Sequence, residues 1–318
     1  FSCVDAELTM KRMMLATSLG LAALVLGACG PESATPGAPT RTERTPYEMQ
    51  ILEWRAERVK ELTKPVGWLS LVGMHWLDVG STRVGSATDN GTRLAVGPPH
   101  LGVLKLTRDG TLSFTPEPGA GVAIDGQPAA GTVRLTADGD PATPQTVVSF
   151  NKGDASFVVI NRGDRFALRV RDALAPSRSS FSGIRYFDID PSFRFKARFT
   201  AHKAGSTIEI INVLGMVEPM ANPGTVTFER DGKAYTLEAV DEGDHRLFLM
   251  YADRTSGHDS YPASRYLYAE YPDAQGNTIV DFNKGYNPPC AFTDFATCPL
   301  PPLGNRLDIA ITAGEKKP

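Results

Sequence analysis

Positive charge is the first thing this sequence has little of. Its 33 Lys and Arg face 36 Asp and Glu, a net charge of −3 over 318 residues, so it carries no basic footprint for nucleic acid. A long hydrophobic run is also missing. The N-terminal apolar stretch, residues 13–26, is about 14 residues long where a free membrane-spanning helix needs about 20. No two histidines lie within a few residues of one another, and no second cysteine pair stands beside Cys290 and Cys298. A metal site is therefore not expected, nor is a cofactor. No Gly-x-Ser-x-Gly elbow occurs, which removes one common route to a nucleophilic serine. No strand–helix–strand alternation runs along the chain, which excludes a parallel α/β sheet.

What is present is an ordinary globular composition, 42% hydrophobic and 22% charged, with 30 Gly and 24 Pro. That much glycine and proline favours many short elements joined by turns. At the N-terminus, residues 1–9 read as lying ahead of the true start at Met10. Lys11 and Arg12 then precede the apolar stretch, which ends in Leu26-Gly27-Ala28-Cys29. This pattern resembles the bacterial lipobox. The resemblance implies a signal peptide over residues 1–28, cleavage before Cys29, and a lipid on its sulfur. Several acyl chains together anchor stably, where one is marginal. Residues 29–45 then form a flexible Pro/Ser/Thr/Gly tether. The expected location is extracytoplasmic, on the periplasmic face of the outer membrane in a Gram-negative host, with the membrane as partner through the anchor.

Beyond the tether, Thr45-Pro46-Tyr47-Glu48 is a helix start: a capping hydroxyl, a proline in the first turn, and a glutamate at the capping-box position. Leu52, Val59 and Leu62 continue it as one amphipathic helix to about residue 63. The period then changes. Residues 68–79 read as a buried strand pair. Asp109-Gly110, Asp125-Gly126, Asp138-Gly139 and Asp231-Gly232 are turn signals flanked by alternating or β-branched residues. Further strands are expected at 146–150, 157–161, 166–170, 207–213, 234–239, 247–251, 265–268, 278–282 and 307–311. Arg162-Gly163-Asp164 spells an adhesion tripeptide but falls between two of these strands, as a hairpin turn. The expected fold is mainly β: antiparallel β-sandwich or barrel-like sheets with one N-terminal amphipathic helix. The aperiodic stretch 172–184 suggests a boundary between a unit at 46–172 and a C-terminal β unit at 173–318.

The stretch 281–306 organises the second unit. It packs two cysteines, five prolines, three asparagines and four aromatics into a segment too rich in proline for a central strand. Asn212-Val213-Leu214-Gly215, Asp253-Arg254-Thr255-Ser256-Gly257, Arg265-Tyr266-Leu267, Asp281-Phe282-Asn283, Tyr286-Asn287-Pro288-Pro289-Cys290-Ala291-Phe292, Thr297-Cys298-Pro299-Leu300-Pro301-Pro302 and Asn305-Arg306-Leu307 together resemble the bacterial family named domain of unknown function 1684. Ala313-Gly314-Glu315-Lys316 and the upstream Gly67-Trp68-Leu69 fit the same pattern, so the resemblance covers residues 47–316. It implies no activity, since the family has none assigned, and no fixed role for His75 or His258.

Cys290 and Cys298 are a candidate disulfide, with two buried thiols as the alternative. Closing that loop would contribute about 2.6 kcal/mol by chain entropy. Asp253, Ser256, Tyr261, Arg265, Tyr266, Asp281, Asn283, Tyr286, Asn287 and Asn305 are the candidate ligand-binding residues. In that reading Arg and Asn fix a small polar or envelope-derived ligand while Tyr rings cover it. The competing reading is that these groups satisfy the backbone of a non-repetitive loop. A hydrolase of esterase or glycosidase type, using Ser256 or the pair Asp253 and Asp281, is a second functional class. A purely structural envelope protein is a third.

Overall fold

The computed structural model describes residues 43–139 and 143–318. The expected signal peptide, the lipidation site Cys29 and residues 30–42 of the tether lie outside the described residues. Residues Arg44–Pro318 form one compact unit. Among the described residues no helix is long and apolar enough to cross a membrane.

The helix α1 spans Pro46–Leu62 and opens on a complete capping box, with the Thr45 side chain accepting from the Glu48 amide and the Glu48 carboxylate accepting from the Thr45 amide. Its inward face follows the three- and four-residue spacing of a helix. Ile51 and Leu62 are buried there, and Tyr47, Trp54, Arg55 and Arg58 share the same side. That face is thus aromatic and cationic as much as aliphatic, which bears on the site below.

Residues 68–79 do not form a strand pair, and no strand forms at 307–311, where the backbone bonds of Leu307 and Ile309 go to Ala252 and Arg254 as loop contacts and not as a sheet ladder. A 3-10 turn, Trp68–Ser70, leads into the single strand Leu71–Trp76, whose partner is the distant strand Arg165–Asp172. The run is buried at Leu69, Leu71 and Leu77 but open at Val79, and apolar density could not say which segment pairs with it. Leu71–Trp76, Arg165–Asp172 and Ala155–Arg162 stand side by side in a six-stranded sheet, and the hairpin between the last two turns at Gly163-Asp164. A five-stranded sheet built around Gly80–Gly85, Gly102–Leu106 and Leu112–Pro116 packs against it. The shared core includes Leu104, Phe114, Val148, Phe157 and Leu168, with Phe114 edge-on to Phe157 at 5.4 Å.

The second half is a seven-stranded antiparallel sheet, ordered Arg265–Glu270, Arg246–Tyr251, Lys233–Asp241, Val217–Arg230, Arg194–Ala201, Asn277–Asp281, with Thr207–Ile211 paired off Val217–Arg230. The long hairpin turns at Asp231 and Gly232, whose φ angles of +53° and +73° are those a two-residue turn requires. The edge strands Arg265–Glu270 and Asn277–Asp281 come together, with the Thr278 hydroxyl donating to the Glu270 carbonyl at 2.7 Å. The sheet is thereby nearly closed, like a barrel. Phe228, Leu237, Leu249, Leu267, Val280 and Phe282 fill its interior. All but one of the strand pairs in the described residues are antiparallel, the exception being the two-residue pairing at Val84 and Thr92.

The aperiodic stretch 172–184 is stitched to both halves. The Ser177 hydroxyl donates to the Leu69 carbonyl at 2.7 Å and Arg178 Nε to the Thr63 carbonyl at 2.6 Å, while the Phe181 ring meets Phe292 of the second half edge-on at 6.3 Å.

Candidate functional site

The proline-rich stretch 281–306 wraps one outer edge of the barrel, and most of its polar heads turn into the protein. Arg265 is 1% exposed. Its Nη2 pairs with Asp253 at 2.6 Å and donates to the Ile311 carbonyl at 2.8 Å, while Nη1 donates to the Ala313 carbonyl. Asp253 accepts from the Thr255 amide and hydroxyl with its other oxygen. This pair therefore pins the C-terminal strap, residues 311–316, across the barrel. The strap runs so close that a Cβ at Gly314 would collide with the Gly285 carbonyl.

Asn305 is fully buried and bridges two strands: it accepts from the Glu238 amide at 2.7 Å and donates to the Glu238 and Met250 carbonyls. Asn283 donates to the Asp190 carbonyl and to the Tyr47 hydroxyl, and accepts from the Asp190 amide. Asp281 accepts from Tyr47 at 2.9 Å and caps the short turn Phe282–Lys284. Desolvation, then the charge of Asp281, holds the Tyr47 hydroxyl well above its ordinary pKa. Asn287 donates its side-chain amide to the Lys316 carbonyl, and its backbone amide to Glu315 at 2.7 Å. The Ser256 hydroxyl accepts from the Asp253 amide inside a turn. No hydrogen bond joins Ser256 to His258 among the described residues, and His258 is exposed. Tyr261 donates to the Cys290 carbonyl at 3.1 Å. Cys290 and Cys298 are paired at disulfide distance, with Cα atoms 6.1 Å apart.

Only Tyr266 and Tyr286 of the ten candidates line the cleft between α1 and the barrel, a space of about 540 Å3. One wall is the aromatic face of the barrel. Phe248 meets Tyr266 edge-on at 4.9 Å, and Tyr268 stacks on Phe248 at 5.0 Å and on Tyr286 at 6.2 Å. The facing walls come from α1, through Trp54 and Arg58, and from the N-terminal half, through Trp68, Arg162 and Arg169. The stretch 296–299, from Ala296 to Pro299, closes one end; there the Tyr266 hydroxyl donates to the Pro299 carbonyl at 2.6 Å.

The charges around this cleft are unequally matched. Arg58 lies over the Tyr286 ring at 4.6 Å, donates to the Asn287 carbonyl and pairs with buried Glu315 at 3.0 Å. Arg246 lies over Tyr268 at 4.1 Å and pairs with Asp244. Arg162 pairs with Asp138 at 2.9 Å and donates to the Thr297 hydroxyl. Glu242 accepts from the Tyr268 hydroxyl at 2.5 Å. Burial against the aromatic wall raises the Glu242 carboxyl above its ordinary value, although solvent still reaches its outer side. Arg169 alone among the four arginines has no hydrogen bond or ion pair to its guanidinium within the described residues. Burial, and then the nearby charge of Arg162, lowers its pKa to about 10.

Trp54, Arg58, Trp68 and Arg169 were not among the candidates read from sequence. A signal for Arg169 was available: it interrupts the apolar run Phe166-Ala167-Leu168-Arg169-Val170, and a cation inside a buried strand needs a reason. Trp54 and Arg58 gave none, since an aromatic and a cation on an amphipathic helix are unremarkable until the facing surface is known.

Fold and site together define a mainly antiparallel β protein with one aromatic, arginine-bearing cleft where its helix, its sandwich and its barrel meet. Residues 179–316 match the model of the family described as Protein of unknown function (DUF1684), and the chain belongs to that family through this C-terminal stretch. A solution NMR structure of an uncharacterized protein from Haloarcula marismortui is similar at 34% identity, over 44% of this chain and 78% of that chain, with a TM-score of 0.37. The comparison with curated proteins gave no match.

Proposed function

We propose that the protein is a lipid-anchored, extracytoplasmic binding protein that takes a small, ring-bearing polar ligand in the cleft between α1 and the barrel. The observation that carries this reading is the wall of four stacked or edge-packed rings, Phe248, Tyr266, Tyr268 and Tyr286, facing Trp54 and Trp68 across about 540 Å3. Open space between aromatic walls with a few charged groups at fixed points is the usual make-up of a small-molecule site. A purely structural role gives no reason to leave such a cleft unfilled, since close packing is the rule inside proteins. The hydrolytic reading has less behind it. Ser256, Asp253 and Asp281 are each engaged by turn or ion-pair partners and none lines the cleft. For location, the support is the Leu26–Cys29 pattern and a cysteine pair at disulfide distance, which persists in oxidising compartments.

Two of the three tryptophans in the sequence, Trp54 and Trp68, line the cleft. A titration of the purified protein with sugars, aromatic acids and nucleobases should therefore give saturable changes in tryptophan fluorescence for some member. The response should be lost in Tyr286→Ala and come without turnover of the ligand. No saturable response from any ring-bearing compound, or chemical conversion of the one that binds, would end this reading.

A further inference from the structure

One charge at the cleft is out of balance. Arg169 is 5% exposed, lines the cleft, and has Nε and Nη2 sealed from solvent with no acceptor among the described residues. The neighbouring carboxylate that could answer it, Asp138, is already committed: its two oxygens accept from Arg162 at 2.9 Å and from the Asn161 amide at 2.6 Å. Arg162 thus takes that carboxylate, and Arg169 is left without one among the described residues. The acidic groups on the rim are matched elsewhere, Glu57 to Lys60, Glu61 to Lys64, and Glu242 to the Tyr268 hydroxyl. The Trp68 ring lies 5.4 Å from the Arg169 guanidinium carbon. It offers that cation a π face but no hydrogen-bond acceptor.

A buried guanidinium without a partner is costly. The group that best completes it is a carboxylate or a phosphate, because the planar fork donates parallel charge-assisted bonds to two oxygens at once. Arg58 and Arg246 cannot take that part, being held by Glu315 and Asp244. Resting on the reading of the cleft as a binding site, we infer that its occupant carries a carboxylate or phosphate oxyanion that Arg169 holds, while Trp68 and the tyrosine wall hold the attached ring. Arg169 is then the specificity-determining residue, and the aromatic walls supply affinity without regard to charge.

The test pairs charged and neutral probes of one shape: benzoate against benzamide, and phenyl phosphate against phenol, titrated into the full chain at fixed ionic strength. The anionic member of at least one pair should bind about tenfold more tightly than its neutral partner, the worth of one charge-assisted contact. A preference for benzoate assigns a carboxylate and a preference for phenyl phosphate assigns a phosphate. Arg169→Gln should erase the gap and leave the neutral probes unchanged. Arg171→Gln, two residues along the same strand face but outside the cleft, should keep it. If Arg169→Gln does not fold, added sodium chloride on the native protein replaces it. Binding of the preferred anion should weaken with salt while that of its neutral partner holds. Equal affinity within both pairs, or a salt-independent anion, overturns the oxyanion inference and leaves the binding site standing. Failure of all four probes to bind overturns both.

Discussion

At the scale of single residues, two arginines with nearly the same burial do opposite things. Arg265 spends its guanidinium on Asp253 and on the Ile311 and Ala313 carbonyls, and so fastens the C-terminal strap. Arg169, against the Trp68 ring, finds no acceptor for its Nε and Nη2 among the described residues. Glu315, on that strap and fully buried, receives Arg58 and the Asn287 amide. Desolvation outweighs both and raises its carboxyl above the ordinary value. The folded state therefore holds that proton to a higher pH than the unfolded chain does. The resulting stability is complete below the unfolded value and is lost as pH rises through the folded one. Glu315→Gln copies the protonated carboxyl. It should flatten the fall in urea midpoint as pH rises above about 4, the ordinary glutamate value, and a slope equal to that of the native protein would show that Glu315 does not set it. Reading the sequence alone located Arg265, Asn283, Asn287 and Asn305 beside one loop. It could not say which way they point, because a segment without periodicity fixes no face.

At the scale of elements, the clasp 281–306 is held by side chains of unequal reach. Asn283 ties its start to Tyr47 of α1, Asn305 ties its end to two barrel strands, and the cysteine pair closes its middle. Reduction, or Cys298→Ser, removes a short loop closure worth at most about 2.6 kcal/mol by chain entropy. A drop of that order in denaturant stability is expected, with the barrel strands still folded by far-ultraviolet circular dichroism. An unchanged midpoint on reduction would mean that the tie is idle in the native protein. The capping box of α1 and the Asp231-Gly232 hairpin were legible in advance, since each is a local signature with a local cause. The pairing of Leu71–Trp76 with Arg165–Asp172 was not. Nothing in the sequence of a strand names a partner roughly ninety residues away, and strand pairing is set by the assembled core.

At the scale of the whole molecule, fold class was written in turn signals and alternation, but the cleft was not. It exists only where α1, the sandwich and the barrel meet, and no single stretch contains it. The anchor proposal belongs to this scale as well. Cys29→Ala should move the protein from the membrane fraction to the soluble one, and a variant that stays with the membrane would refute attachment through that sulfur. The stretch matched by the family, residues 179–316, supplies Tyr266, Tyr268 and Tyr286, whereas Trp54, Arg58, Trp68, Arg162 and Arg169 all precede it. A piece cut at that border would carry the tyrosine wall out into water with nothing opposite it. It would also leave Glu315 without its cation from the helix. The border of the family match and the border of the enclosed space thus fall in different places: the matched stretch brings one side of the room, and the opposite side comes from chain that lies ahead of it.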